Sequence, residues 1–201
     1  LLTSLAAEPA WSQQRLRSLL FGEPLADLAG EGWSPGLAEG PLLVANLTVA
    51  THLLGTPHWP DLDGAILVLE DVGEAPYRIE RMLTHWRLGG ALQRLGGIGL
   101  GSFSGCDDPT PQERSSFSLE EVLRERTADL GVPVVSGLPV GHVAGNAALP
   151  LGAWAELDAD ADSDDDRLLT IRPAISLPEG HHFAVGLFFF QAEDGIRVHS
   201  R

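Results

Sequence analysis

Two side chains in this sequence have the types and settings that acid–base chemistry needs. Glu70 follows directly on Ala65-Ile66-Leu67-Val68-Leu69, a wholly apolar run that marks a strand buried on both faces. Open α/β sheets carry their sites at the carboxyl ends of such strands. The bland alternative is a solvated turn shared with Asp71 and Glu74. His142 stands in Val140-Gly141-His142-Val143-Ala144-Gly145-Asn146, where nearby glycines leave the imidazole accessible and let backbone come close. Its bland alternative is a loop histidine bonded to backbone. A carboxylate bonded to one ring nitrogen orients a histidine and stabilises its charged form, which suits a general base. No spacing rule ties Glu70 to His142, so the residues alone leave their pairing open.

A base needs something to activate, and here the chain offers little. Ser102 and Ser104 lie in Gly101-Ser102-Phe103-Ser104-Gly105, which does not fit the G-x-S-x-G nucleophile elbow. Cys106, the single cysteine, follows at once, but lone cysteines are more often inert filler. Metal chemistry fares no better. Asp158, Asp160, Asp162, Asp164, Asp165 and Asp166 imitate the odd spacing of a calcium loop. However, Ser163 replaces the required glycine and Leu169 the bidentate glutamate, so a solvated hairpin tip is the expectation. His181-His182 has no third ligand nearby, and no cofactor or metal is expected.

The elements that must position Glu70 and His142 follow from periodicity. Residues 1–40 hold a short helix around Arg15, Leu16, Arg17, Leu19 and Leu20, then a Gly/Pro-rich stretch that reads as a flexible linker. Leu43, Leu47, Ala50 and Leu54 share a helical face that stops at Gly55-Thr56-Pro57. After the strand at 65–69 and a turn over Asp71–Pro76, Ile79, Met82, Leu83 and Trp86 predict a helix closed by Gly89-Gly90. Ile98–Leu100 is the next strand, leading into a loop over Gly101–Pro111. Ser118 and Glu121 form a capping box for a helix ending at Gly131, and Val132–Val135 is a further strand. Ala153–Leu157 and Leu168–Arg172 predict an antiparallel hairpin. This alternation is an α/β domain over roughly 41–173.

Composition excludes several classes of function. The 201 residues carry 28 acidic and 13 basic side chains, all of the latter arginine, for a formal charge of −15. Phosphate binding needs clustered cations, so nucleic acid is not an expected partner. The apolar run Ala184–Phe190 falls far short of the roughly 20 residues that span a bilayer, so no membrane partner is expected. The chain opens Leu1-Leu2, without Met or a basic leader, and the expectation is that it begins within a longer protein.

Longer stretches of sequence add a resemblance. Leu69-Glu70-Asp71-Val72-Gly73-Glu74-Ala75-Pro76-Tyr77-Arg78-Ile79-Glu80-Arg81-Met82-Leu83 strongly resembles the LD-carboxypeptidase family of serine peptidases, the muramoyltetrapeptide carboxypeptidases. Gly99-Leu100-Gly101-Ser102-Phe103 resembles the family's strand and turn. Gly137-Leu138-Pro139-Val140-Gly141-His142, Asn146 and Leu149-Pro150-Leu151-Gly152 resemble its histidine loop. The likeness covers about residues 37–176. It implies the family's swivelling β/β/α C-terminal domain, with the N-terminal nucleophile domain missing and residues 1–36 serving as a connector.

By that resemblance Glu70 and His142 are the carboxylate and base of a Ser–Glu–His triad whose serine lies outside this chain, so the fragment alone is expected to be inactive. Asn46 is the candidate substrate contact, although Val44-Ala45 stands where the family carries Gly-Gly before the Asn. The implied reaction removes the terminal D-alanine from muropeptide tetrapeptides during peptidoglycan recycling, in the cytoplasm, by an enzyme that forms homodimers. The alternatives are the family's immunity hydrolases, which cleave a peptide-nucleotide antibiotic, and a non-catalytic binding domain. Residues 177–201 are expected to be a non-native tail. From about 187 the tail is expected to be an adapter-derived artefact. Gln191-Ala192-Glu193-Asp194-Gly195-Ile196-Arg197 resembles a translated sequencing-library adapter, and Phe188-Phe189-Phe190 runs against the GC-rich codon bias that a chain without lysine, whose codons are A-rich, implies.

Overall fold

The apolar run before Glu70 is strand β3 (Ile66–Val72), the middle strand of a seven-stranded sheet. The computed structural model describes residues 5–107, 117–160 and 169–171. Around β3 lie β1 (Glu31–Ser34), β2 (Leu37–Asn46), β4 (Gly97–Ser104), β5 (Val134–Ser136), β6 (Trp154–Asp158) and β7 (Leu169–Ile171), in the order β1-β5-β4-β3-β2-β6-β7. The inner four, β5, β4, β3 and β2, run parallel, and antiparallel strands close both sides: β1 on β5, and the β6–β7 hairpin on β2. Helices α1 (Ala10–Phe21), α2 (Leu47–Thr51), α3 (Pro76–Leu88) and α4 (Leu119–Thr127) complete the elements used below. The fold is the mixed α/β class that the sequence implies.

Side-chain alternation along β3 divides the core into two layers. Leu67 and Leu69 pack with Leu47 and Ala50 of α2, Ile79, Leu83 and Trp86 of α3, and Val122 and Leu123 of α4. Ile66 and Val68 face the other way, into a layer built from Leu138, Val140 and Leu149 and from the hairpin residues Ala155, Leu157 and Leu169. One face is therefore covered by helices and the other largely by irregular chain. Both are apolar, which is why the run shows no alternation.

Several predicted elements stand as read. The α3 helix begins with Pro76 at its first turn, and Gly90 in the left-handed conformation (φ 72°) lets the Ala91 N–H donate to the Trp86 carbonyl, closing it. The Ser118–Glu121 capping box is present, and β6 and β7 pair antiparallel.

Others need correction. Residues 43–46 are strand and the helix after them is only Leu47–Thr51, because Leu42 and Val44 pack into one layer while Leu43 and Ala45 pack into the other. A strand covered on both faces and a helical stripe share the same apolar letters. The stretch read as a linker contains β1 and the start of β2. Its glycines serve close packing there, since a β-carbon at Gly40 would run into the Gly64 carbonyl. The predicted loop after Leu100 begins only beyond Ser104, and the predicted turn at Asp71 only after Val72. The tail over 177–201 and most of the acidic hairpin tip lie outside the described residues. Among the described residues no helix is long and apolar enough to cross a membrane.

Candidate functional site

Strand alternation sends two consecutive carboxylates to opposite layers. Glu70 shares the side of Ile66 and Val68, and its Oε2 lies 2.7 Å from Nδ1 of His142. The pair left open by spacing is therefore made. Both side chains are mostly buried, 9% and 16% exposed, so water competes little for the contact. Since an ionised carboxylate only accepts, Nδ1 of the neutral ring carries the proton and Nε2 keeps its lone pair. Nε2 is buried and has no hydrogen-bond partner among the described residues.

The histidine reaches this place because its loop continues β5. Beyond Gly137 (φ 74°) the chain runs on beside β4: Leu138 N–H donates to the Leu100 carbonyl at 3.1 Å, and Ser102 N–H donates to the Val140 carbonyl at 2.7 Å. Glycines make the approach possible. A β-carbon at Gly101 would collide with the Val140 carbonyl, and one at Gly141 (φ 124°) would stand 2.9 Å from Glu70 Oε2. The carboxylate and imidazole come from strands separated by β4, and they meet across ground that the glycines leave clear.

Asp71 faces the helical layer and is 2% exposed. Its carboxylate accepts from Asn46 Nδ2 (3.0 Å), Thr48 N–H (3.0 Å), Thr48 Oγ1 (2.8 Å) and the Val72 N–H (2.8 Å). Asn46 stands next to Glu70 in the β2–β3 register and caps α2, its Oδ1 accepting from Val49 N–H at 3.0 Å. That leaves its amide one further N–H for a ligand. The sequence grouped Asp71 with a solvated turn and missed this role. The signal was available: a strand buried on both faces must send its next two residues into opposite layers.

The alternative nucleophiles take other places. Ser104 Oγ donates to the backbone carbonyl of His142 at 2.8 Å. Its only proton being spent, Ser102 Oγ, 2.6 Å away, must donate to it. The two serines thus hold up the histidine loop, and neither bonds the ring. Cys106 is fully buried in the helical layer, and burial pushes its thiol pKa up, away from the reactive thiolate. No group of three His, Cys, Asp or Glu side chains among the described residues could hold a metal ion.

Glu70, His142 and Asn46 line a cavity of about 640 Å³, whose remaining wall is mainly apolar, with Val49, Leu53, Trp59 and Val143. A pocket with an apolar wall and a few convergent polar groups suits a small ligand.

The chain as a whole is similar to known proteins. The family model for the LD-carboxypeptidase C-terminal domain matches residues 39–157. A Synechocystis sp. protein named as a carboxypeptidase is 53% identical over 80% of this chain and 52% of its own length. The murein tetrapeptide carboxypeptidase of Pseudomonas aeruginosa is 39% identical over 79% of this chain and 53% of its own. Among solved structures, the muramoyltetrapeptide carboxypeptidase from Oxalobacter formigenes superimposes with a TM-score of 0.70 at 31% identity, over 81% of this chain and 55% of that one. The chain spans about half the length of these relatives.

Proposed function

The chain belongs to the LD-carboxypeptidase family, and from that premise we propose that it is the half of a serine-type carboxypeptidase that supplies the orienting carboxylate, Glu70, and the general base, His142. The nucleophilic serine belongs to an N-terminal domain outside this chain, with residues 1–36 as the connector, and the 201 residues alone are inactive. One observation carries the reading: Glu70 holds Nδ1 of His142 at 2.7 Å while Nε2 stays unpartnered in the cavity-lining ring. The substrate is a muropeptide tetrapeptide, and the reaction is the release of its terminal D-alanine in cytoplasmic peptidoglycan recycling. The full-length protein is a homodimer that acts without nucleic acid or membrane.

In the first step Nε2 takes the serine hydroxyl proton as the oxygen attacks the carbonyl carbon of the bond to D-alanine. Glu70 steadies the imidazolium that results. The ring then returns the proton to the departing amine, D-alanine leaves and an acyl-enzyme remains. Water, deprotonated by the same Nε2, hydrolyses that ester and restores the serine. Asn46 contributes its remaining amide N–H to the substrate.

The test joins this chain to the N-terminal half of a relative and assays two substrates, a muropeptide tetrapeptide and an aminoacyl-nucleotide. D-alanine release that vanishes in His142→Ala, and no release by the 201-residue chain alone, is the expected result. Release that survives His142→Ala would sink the catalytic roles, and cleavage of the nucleotide alone would move the substrate to the immunity branch.

A further inference from the structure

The loop that carries His142 is held by a helix distant in sequence. Glu8, just before α1, accepts from the Gly145 N–H through its carboxylate at 2.7 Å. Ser12 Oγ, on a residue only 5% exposed, donates to the Asn146 carbonyl at 2.6 Å. Trp11 lies so close to Gly145 that a β-carbon there would stand 2.8 Å from its ring. One turn further on, buried Arg15 donates to the Ala148 carbonyl at 2.9 Å, and burial lowers its pKa to about 10 against the opposing pull of Asp27. These contacts fall on a loop that is also closed internally. Ala147 N–H donates to the Pro139 carbonyl at 2.7 Å, and Asn146 Oδ1 accepts from the Gly141 N–H at 3.1 Å.

A continuous path follows. Ser12 fixes the backbone of Asn146, whose side chain fixes the N–H of Gly141 just before His142, while Ser104 fixes the carbonyl of His142 itself. We infer that Glu8 and Ser12 are positioning residues for His142, and that the α1 segment is a strap that acts together with β4 to set the imidazole against Glu70. Neither residue bonds the ring, so both act through the loop. The inference takes its purpose from the proposed base. Its test reads geometry alone, so failure of the hydrolytic assignment would leave the result standing.

The experiment is hydrogen exchange and imidazole NMR on the 201-residue chain. Deleting both contacts in Glu8→Ala/Ser12→Ala is expected to raise exchange of the Gly141 amide about tenfold or more, the loss of two net hydrogen bonds to one loop. The His142 Nδ1–H signal is expected to fade by exchange with solvent, while amides of β3 and β4 keep their rates. Glu8→Gln retains an acceptor oxygen and is expected to behave as the parent chain. A helix that merely stabilises the fold would raise exchange at 145–148 and leave Gly141 and Nδ1–H unchanged, and that result overturns the inference. If the double variant does not fold, Ser12→Ala is read on the same two signals.

Discussion

Glu70 and Asp71 are adjacent in sequence, both buried, and used in opposite ways. Asp71 meets four donors on the helical side of the sheet, three of them from Asn46 and Thr48, and these tie the first turn of α2 to β3. Glu70, on the side covered by irregular chain, meets a single ring nitrogen among the described residues. A carboxylate has about four lone-pair positions. Asp71 spends them on structure, whereas Glu70 acts through one strong bond to a group that can itself titrate. The lesson is one of layers: regular helices supply many fixed donors, and a loop crossing over glycines supplies one chemically active partner.

The largest separation between the two carboxylates is expected in turnover. In the protein rejoined to its N-terminal half, Glu70→Gln lowers kcat on the order of 10³-fold or more with little change in melting temperature. The new amide can donate to Nδ1, which moves the ring proton to Nε2 and removes the base. Asp71→Ala does the reverse: urea unfolding should show a loss of about 2–4 kcal/mol, since the side chain and N–H of Thr48 and the amide of Asn46 lose their acceptor. Equal stability losses in the two variants would break the comparison.

A smaller probe sharpens the glycine side of the contrast. Gly141→Ala places a methyl 2.9 Å from Glu70 Oε2 at a φ of 124°, so it should separate the pair at a cost of about 1–3 kcal/mol of stability, measured by the same unfolding. Cys106, in the helical layer, should resist a thiol reagent at neutral pH until urea unfolds the chain, because burial holds its thiol protonated. Fast labelling of the folded chain would show that layer to be more open than its packing implies.

The smallest effect belongs to the surface pair Arg87–Asp129, with two contacts of 2.7 Å each. The guanidinium hydrogen bond holds the Asp129 carboxyl below its ordinary value. A depressed acid stabilises the fold above its unfolded pKa, about 3.9, and that gain is lost as pH falls through the lower folded value. Asp129→Asn should therefore lower the melting temperature slightly at pH 6 and not at all at the acidic end of the titration. Exposure keeps the change small.

How much of this was legible in the residues varied with the kind of signal. Local chemistry read directly: the Ser118–Glu121 box, the helical stripe Ile79, Met82, Leu83 and Trp86 with its Gly89-Gly90 stop, and the apolar run before Glu70. Glycine misled where it served contact and not flexibility, as at Gly40, so β1 and the first part of β2 were hidden. Between residues 43 and 46, burial on both faces erased the alternation that separates strand from helix. At the site, Glu70 and His142 were each visible from their settings, but the contact between them spans 72 residues and depends on Val140 approaching Gly101. Asp71 could have been placed by continuing the alternation of a strand buried on both faces, whereas Ser12 carried no sign of its role, because its partner is brought to it only by the fold.

The central claim is that Glu70 makes His142 a base, and the tautomer of the neutral ring tests it most directly. Nitrogen-15 NMR of the imidazole in the 201-residue chain distinguishes the protonated from the bare ring nitrogen. The account predicts the proton on Nδ1, bonded to Glu70, with Nε2 bare, and a shift of that proton to Nε2 in Glu70→Gln. A parent ring that already carries its proton on Nε2 would contradict it, since no lone pair would remain there to take a proton from serine.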